Sequence, residues 1–342
     1  MWLPEETATM KSYVAALSLA SAVALFSGAA AAETDCRDLT IAELNWPSAG
    51  LAAWVDKLIM ETGYGCTVSL VEGDTNSAVA SIAKDGKPDI VPEFWFESMT
   101  PALEEAVADK RVAFGAALLN EGGVQGWWMP KYILDANPGM TTVQQALQHP
   151  ELFMPAEEGG KPAVFNCPEG WACRASTENL FRALDAEAAG FALHDVKDAA
   201  ALDESIIEAF ENKEGWLGYY WAPTALLGNH PMVKLSFGVE FSKEEWDNCT
   251  IVPDCPDPKL NTYPVSAVYT LIAGDFVDEN PELMSYFNTR SWSNGTVSEV
   301  LAWMDEEEAG NEAGARHFLA NYPDVWKAWL PEDIAEKVAD KI

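Results

Sequence analysis

The sequence predicts an α/β protein of two lobes, each a mainly parallel sheet flanked by helices, with a ligand cleft between them. Two observations carry this. Strand-like and helix-like segments alternate from residue 39 onward, the order that builds βα units and parallel sheets. The chain is 342 residues long and 49% apolar, more than one hydrophobic core usually serves.

The first segment stands outside the fold. Met10-Lys11, an apolar run from Tyr13 to Phe26, then Gly28 and a stretch of alanines follow the order of a secretory signal, with cleavage expected after Ala32. Glu5 and Glu6 would spoil the basic start of such a signal, so Met10 is the expected initiator and 1–32 the signal region. The apolar run is short of the roughly 20 residues a bilayer span needs. No Cys follows the alanines to take a lipid, so a soluble periplasmic product is expected.

Leu39 to Leu44 reads as a strand. Ser48 to Thr62 reads as a helix, with Leu51, Trp54, Val55, Leu58 and Ile59 at helical spacing and Gly63 as its stop. Cys66 to Val71 is a second strand, Asp74 or Thr75 caps a helix through Lys84, and Pro88 to Trp95 holds a third strand. Gly122 to Met129 is a Gly-rich extended crossing into a second lobe. Thr262 to Val265, with the apolar run Ser266 to Ile272, is the return. Lobe I is therefore expected at 33–125 plus 262–342, and lobe II at 126–261.

Cys36, Cys66, Cys167, Cys173, Cys249 and Cys255 are an even set in an exported chain, which favours disulfides over metal or catalysis. Locality pairs Cys167 with Cys173 and Cys249 with Cys255, leaving Cys36 for Cys66. Buried free thiols are the competing reading. A formal net charge of −33 repels phosphate backbones and anionic lipid, so nucleic-acid and membrane-surface partners are set aside.

Fourteen Trp against four His is an unusual balance, and it points to where the chemistry lies. Ligands of open α/β sheets sit beyond the carboxyl ends of the strands. Trp46 and Trp95 fall there, Trp171 lies in the loop Cys167 to Cys173 ahead of a helix over about 174–184, and Trp221 sits in Gly215 to Pro223. Indole faces attract quaternary ammonium groups by about 0.5–2 kcal/mol each, and a group without N–H donors is best told apart by such rings. The amides of Ala172 and Cys173, at a helix start, suit an anionic oxygen. Trp54, Trp246, Trp303, Trp326 and Trp329 are read as core or surface anchors.

With these motifs the chain resembles the substrate-binding proteins of ABC importers for glycine betaine and related quaternary-ammonium solutes, over essentially the whole mature length. Gly170-Trp171-Ala172-Cys173 is similar to that family's Cys-bracketed Gly-Trp loop, with support from Tyr219 to Pro223 and from Trp95. The resemblance implies a type II periplasmic binding protein fold, an ammonium box of Trp95, Trp171 and Trp221, and a carboxylate held by the amides of Ala172 and Cys173. Trp46 resembles the fourth wall of the choline and trimethylamine N-oxide types. Implied partners are the small solute and inner-membrane permease subunits, with a monomer expected and no cofactor or metal.

The pattern also departs from the betaine type. That type has Trp-x-Pro where this chain has Trp95-Phe96-Glu97, and Glu93 shares the face of Trp95 in an extended strand. A carboxylate there favours a cation and opposes a ligand carboxylate, so betaine is weakened relative to choline or trimethylamine N-oxide. A solvated acidic surface is the competing reading for both glutamates. The choline type has Asp where this chain has Ser48.

Other classes find little support. The sequence holds no Gly-x-Ser-x-Gly elbow, no His-Glu-x-x-His and no phosphate loop, so an exported hydrolase is the weaker alternative. A receptor feeding a sensor would share the same ligand chemistry. Asp254 to Asp257 lacks the oxygen ligands of a calcium loop.

Overall fold

The computed structural model describes residues 38–157 and 159–342. The expected signal, the initiator Met10, the cleavage point and Cys36 lie outside the described residues. Among the described residues, ten strands form two five-stranded sheets. They are β1 (Leu39–Leu44), β2 (Val68–Gly73), β3 (Ile90–Trp95), β4 (Val112–Ala117), β5 (Val124–Pro130), β6 (Ala163–Asn166), β7 (Ala192–Asp195), β8 (Gly218–Ala222), β9 (Met232–Lys234) and β10 (Val268–Ala273).

The first sheet runs β2-β1-β3-β10-β4 and the second β7-β6-β8-β5-β9. In each, three parallel strands are followed by one reversed strand and an edge strand. β1 pairs parallel with β2 and β3, while β10 pairs antiparallel with β3 and β4. β6 pairs parallel with β7 and β8, while β5 pairs antiparallel with β8 and β9. The reversed strands β5 and β10 are the ones that directly follow the two crossings. The crossings touch: Gly123 bridges Ser266 in antiparallel register, its N–H donating to the Ser266 carbonyl at 2.8 Å.

Local chemistry places the elements that matter. The helix Pro47–Ile59 opens on Trp46, whose extended backbone ends the turn after β1, and Pro47 takes the first helical position. Its buried face carries Leu51, Val55, Leu58 and Ile59. The helix runs on through a π turn, Met60–Tyr64, and stops at Gly65 rather than at the expected Gly63. Gly63 is spent on packing: a Cβ there would lie 2.8 Å from Ile334 Cγ2. Asp74 caps the helix Thr75–Asp85 in a capping box with Ser77.

Disulfides Cys167–Cys173 and Cys249–Cys255 are formed, and Cys66 is oxidised as well. Trp127, Trp216, Trp292 and Trp326 are core residues. Behind β3, Arg290 and Asp56 form a buried ion pair at 3.0 Å, with Tyr286 Oη donating to the same carboxylate at 2.6 Å. Among the described residues no helix is long and apolar enough to cross a membrane.

Candidate functional site

Four indoles meet between the sheets, each delivered by a different segment. Trp46 follows β1, Trp95 ends β3, Trp221 lies near the end of β8, and Trp171 sits in the disulfide loop after β6. The rings of Trp46 and Trp171 stand edge to face with centroids 5.5 Å apart, and Trp171 and Trp221 do the same at 5.1 Å. Tyr219, two residues before Trp221 and so on the same face of β8, stacks beside it at 6.3 Å. These rings, with Trp95, Gln125 and Glu97, enclose a small cavity. Trp46, Trp171 and Trp221 are almost fully buried.

Backbone constraints hold the walls. Gly123 on the crossing lies flat against Trp95, where a Cβ would come within 2.2 Å of Cη2 and Cζ3. Gly170 sits in the left-handed region at φ 86°, and its carbonyl accepts from the N–H of Asn76 at 3.1 Å. A Cβ at Gly170 would also meet Asp74 Cγ at 2.5 Å, so this loop admits only glycine at its point of closest approach to the first lobe. Trp171 Nε1 donates to Asn45 Oδ1 at 2.7 Å, fixing the ring from the opposite sheet. The helix Cys173–Ala183 starts at Ala172 without a side-chain cap, and Ala172 and Cys173 line the cavity. Uncapped N–H groups at such a start are donors for an anionic oxygen.

Two carboxyl groups lie at this centre, Glu93 fully buried and Glu97 half-buried. Glu93 is 1% exposed. Its Oε1 accepts from Trp46 Nε1 at 2.9 Å, Trp95 Nε1 at 3.0 Å and Ser48 Oγ at 3.0 Å. Burial raises the Glu93 pKa, against the pull of these three donors and of Arg290. The carboxylate sits behind the indoles and is not part of the cavity wall.

Glu97 is on that wall. Burial pushes it up to about 7, opposed by the hydrogen bond from Ser266 Oγ at 2.6 Å. Ser266 in turn accepts from Gln125 Nε2 at 3.0 Å, and Gln125 Oε1 accepts from Tyr219 Oη at 3.0 Å. A polar chain thus runs from β8 across both crossings to the end of β3.

The structure brings together Trp46, Trp95, Trp171, Trp221, Ala172 and Cys173, and places Glu93 directly behind two of the rings. Sequence reasoning did not single out Tyr219, Gln125 or Asn45 as site residues. The period-two relation of Tyr219 to Trp221 was the available signal for the first; nothing local marks the other two. A larger hollow lies on the far side of Trp46 and Trp221, lined by six carboxylates and no Lys or Arg. It has no aromatic enclosure of its own.

Residues 37–321 match the substrate-binding domain of ABC-type glycine betaine transport systems, OpuAC. The chain belongs to this family. A curated relative of this binding protein is the trimethylamine N-oxide-binding protein of Pelagibacter ubique (strain HTCC1062), 24% identical over 331 residues that cover 93% of this chain and 98% of the relative. Among solved structures, the glycine betaine/L-proline-binding protein ProX of Borrelia burgdorferi superposes with a TM-score of 0.68 at 17% identity, covering 88% of this chain and 99% of that one. An ABC-transporter choline-binding protein in complex with choline gives 0.67 at 15% identity, covering 89% and 97%. These likenesses show the two-lobed type II periplasmic binding protein fold. Family and fold are those of solute-binding proteins.

Proposed function

We propose that this binding protein captures a trimethylammonium solute in the periplasm, as a monomer, and hands it to inner-membrane ABC permease subunits. Trimethylamine N-oxide is the first ligand to test, with glycine betaine and choline as its close analogues. The observation that carries this reading is the convergence of Trp46, Trp171 and Trp221, at 5.5 and 5.1 Å, on one cavity that Trp95 also lines. Water-excluded indole faces attract an onium centre by up to about 2 kcal/mol each.

The second half of the ligand is an oxygen. The N–H groups of Ala172 and Cys173 supply donors. An N-oxide oxygen accepts from these. A betaine carboxylate does so too, at the cost of facing the Glu93 and Glu97 carboxyls across a small space. This balance, and the name of the Pelagibacter relative, support the N-oxide.

Capture proceeds by hinge closure of lobe I (33–125 plus 262–342) on lobe II (126–261) about the paired crossings at Gly123 and Ser266. The cross-lobe bonds from Trp171 to Asn45 and from Asn76 to Gly170 support it, since both sit at the rim of the cavity. Titration calorimetry with trimethylamine N-oxide, glycine betaine, choline and carnitine is the test. At least one binds in the micromolar range or tighter; binding of none below about millimolar rejects the ligand class.

A further inference from the structure

We propose that Glu93 is a buried counter-anion for the ligand's onium group, acting through the indoles of Trp46 and Trp95 that it holds and not by contact. The inference rests on the cage reading above and deepens it. One oxygen, Oε1, receives both indole N–H groups, at 2.9 and 3.0 Å, together with the hydroxyl of Ser48. Trp46 opens the helix after β1 and Trp95 ends β3, so a single atom sets the angle between two walls.

The other oxygen carries the second observation. Glu93 Oε2 is buried and has no hydrogen-bond partner. Burying a carboxyl with one oxygen orphaned is costly, and an amide of the same shape would satisfy the indoles with its oxygen while leaving its NH2 orphaned in the same place. What an amide lacks is charge. The surrounding ionisable groups do not neutralise it by contact. Arg290, on the far side of β3, bonds Asp56, Thr270 Oγ1 and the Pro92 carbonyl, leaving only a longer-range attraction to Glu93. Glu97, further along the same chain, is directed to Ser266. The segment carrying Trp46 and Ser48 presents only neutral donors.

An onium centre held against these indoles therefore meets faces made more negative by N–H donation to a carboxylate, with the net charge itself one ring behind. A neutral group of the same shape gains the packing and not the charge. Burial raises the Glu93 pKa, so an arriving cation favours the ionised form and onium affinity rises with pH.

The test pairs each ligand with its carbon analogue. Choline is compared with its neutral tert-butyl analogue, and trimethylamine N-oxide with tert-butanol, on the wild type and on Glu93→Gln, by competition titration. Glu93→Gln keeps an acceptor for the indoles, so it lowers onium affinity by roughly tenfold or more while the carbon analogue changes by less than about twofold. Equal losses for both members of a pair, or no loss for the onium, overturn the inference. If Glu93→Gln does not fold, the onium-to-analogue ratio is followed on Glu97→Gln as pH is raised over the range in which the protein stays folded, the substitution removing the titrating carboxyl of the wall. A ratio that stays flat overturns the inference; a rise supports it. The two readings fail separately: Trp171→Ala without effect on onium binding rejects the cage itself, whereas a loss there with an unchanged ratio in Glu93→Gln rejects only the role of Glu93.

Discussion

Gly123→Ala isolates one wall of the cage. The backbone of Gly123 is outside the left-handed region, so alanine brings no conformational strain. The added methyl would sit 2.2 Å from Trp95 Cη2 and Cζ3, and one side must retreat by about 1 Å to reach ordinary contact. The ring is tethered at its other end by the bond from Nε1 to Glu93, at 3.0 Å, and the crossing is tethered by the bond from Gly123 to Ser266, at 2.8 Å. Displacement therefore costs either a wall of the cage or the bridge between the crossings. Losing one indole face weakens an onium ligand by about 0.5–2 kcal/mol, or roughly twofold to thirtyfold. Overpacking costs stability on the order of 1–3 kcal/mol. Calorimetry with trimethylamine N-oxide and a thermal melt read the two effects. Gly139→Ala is the control, because its Cβ meets nothing within 4 Å, and it leaves both readouts in place. Wild-type affinity in Gly123→Ala, with the melt lowered, would show that Trp95 is not a wall.

Trp171→Ala weakens the onium ligand by about 1–2 kcal/mol, and Asn45→Ala gives a smaller loss in the same direction because it frees the ring from its 2.7 Å bond; both are read by calorimetry. Replacing Cys167 and Cys173 by Ser removes a short loop closure worth about 2 kcal/mol and lowers the melting temperature, with ligand affinity falling alongside because Trp171 lies inside that loop. Glu97, raised by burial from 4.5 to about 7, binds its proton more tightly folded than unfolded. Its contribution is thus complete below about pH 4.5 and is lost as pH rises through about 7. Asp203, raised to about 6, acts in the same sense. The melting temperature accordingly falls between about pH 5 and pH 8, and Glu97→Gln flattens part of that fall. An unchanged slope in the variant would remove Glu97 as its source.

The positions of the four tryptophans were legible in the sequence because strand ends and a Cys-bracketed loop are local features, and α/β sheets put ligands at strand ends. The first βα units were legible for the same reason: apolar spacing marks the helix Pro47–Ile59, and Asp74 marks the next helix start. The reversed strands were not. β5 and β10 read only as extended crossings, since the direction in which a strand pairs is decided by partners such as Trp221 for Gln125, almost a hundred residues away. β4 escaped because its burial pattern does not alternate, leaving period-two reasoning without a signal. Glu93 was on the expected face of its strand, yet its place behind the rings depends on how Trp46 turns to meet it. The burial of Glu97 depends on Ser266, and its carbonyl bond on Trp246, residues that no window around position 97 contains.

Under the proposed hinge closure, what closes the cleft follows from where the contacts between the two sheets lie. Trp46 against Trp171, Asn45 with Trp171, and Asn76 with Gly170 all join the two sheets within or beside the cage. Two neutral hydrogen bonds and one ring pair contribute about 1 kcal/mol each, enough to favour the closed form only weakly against the freedom of the open one. A ligand that shifts such an equilibrium decisively, from 1:99 to 99:1, must bind the closed form about 5.5 kcal/mol better than the open form. The two indoles that closure adds, Trp171 and Trp221, contribute up to about 4 kcal/mol of that difference, and the donors at Ala172 and Cys173 supply the rest. A double variant, Trp171→Ala with Trp221→Ala, therefore removes more than the sum of its parts. It leaves lobe II with neither wall, so the solute that remains bound to Trp46 and Trp95 no longer distinguishes open from closed. Small-angle scattering with and without trimethylamine N-oxide reads this directly: the wild type contracts on binding, and the double variant keeps one radius at every ligand concentration. Contraction of the double variant would place the closing force outside the cage.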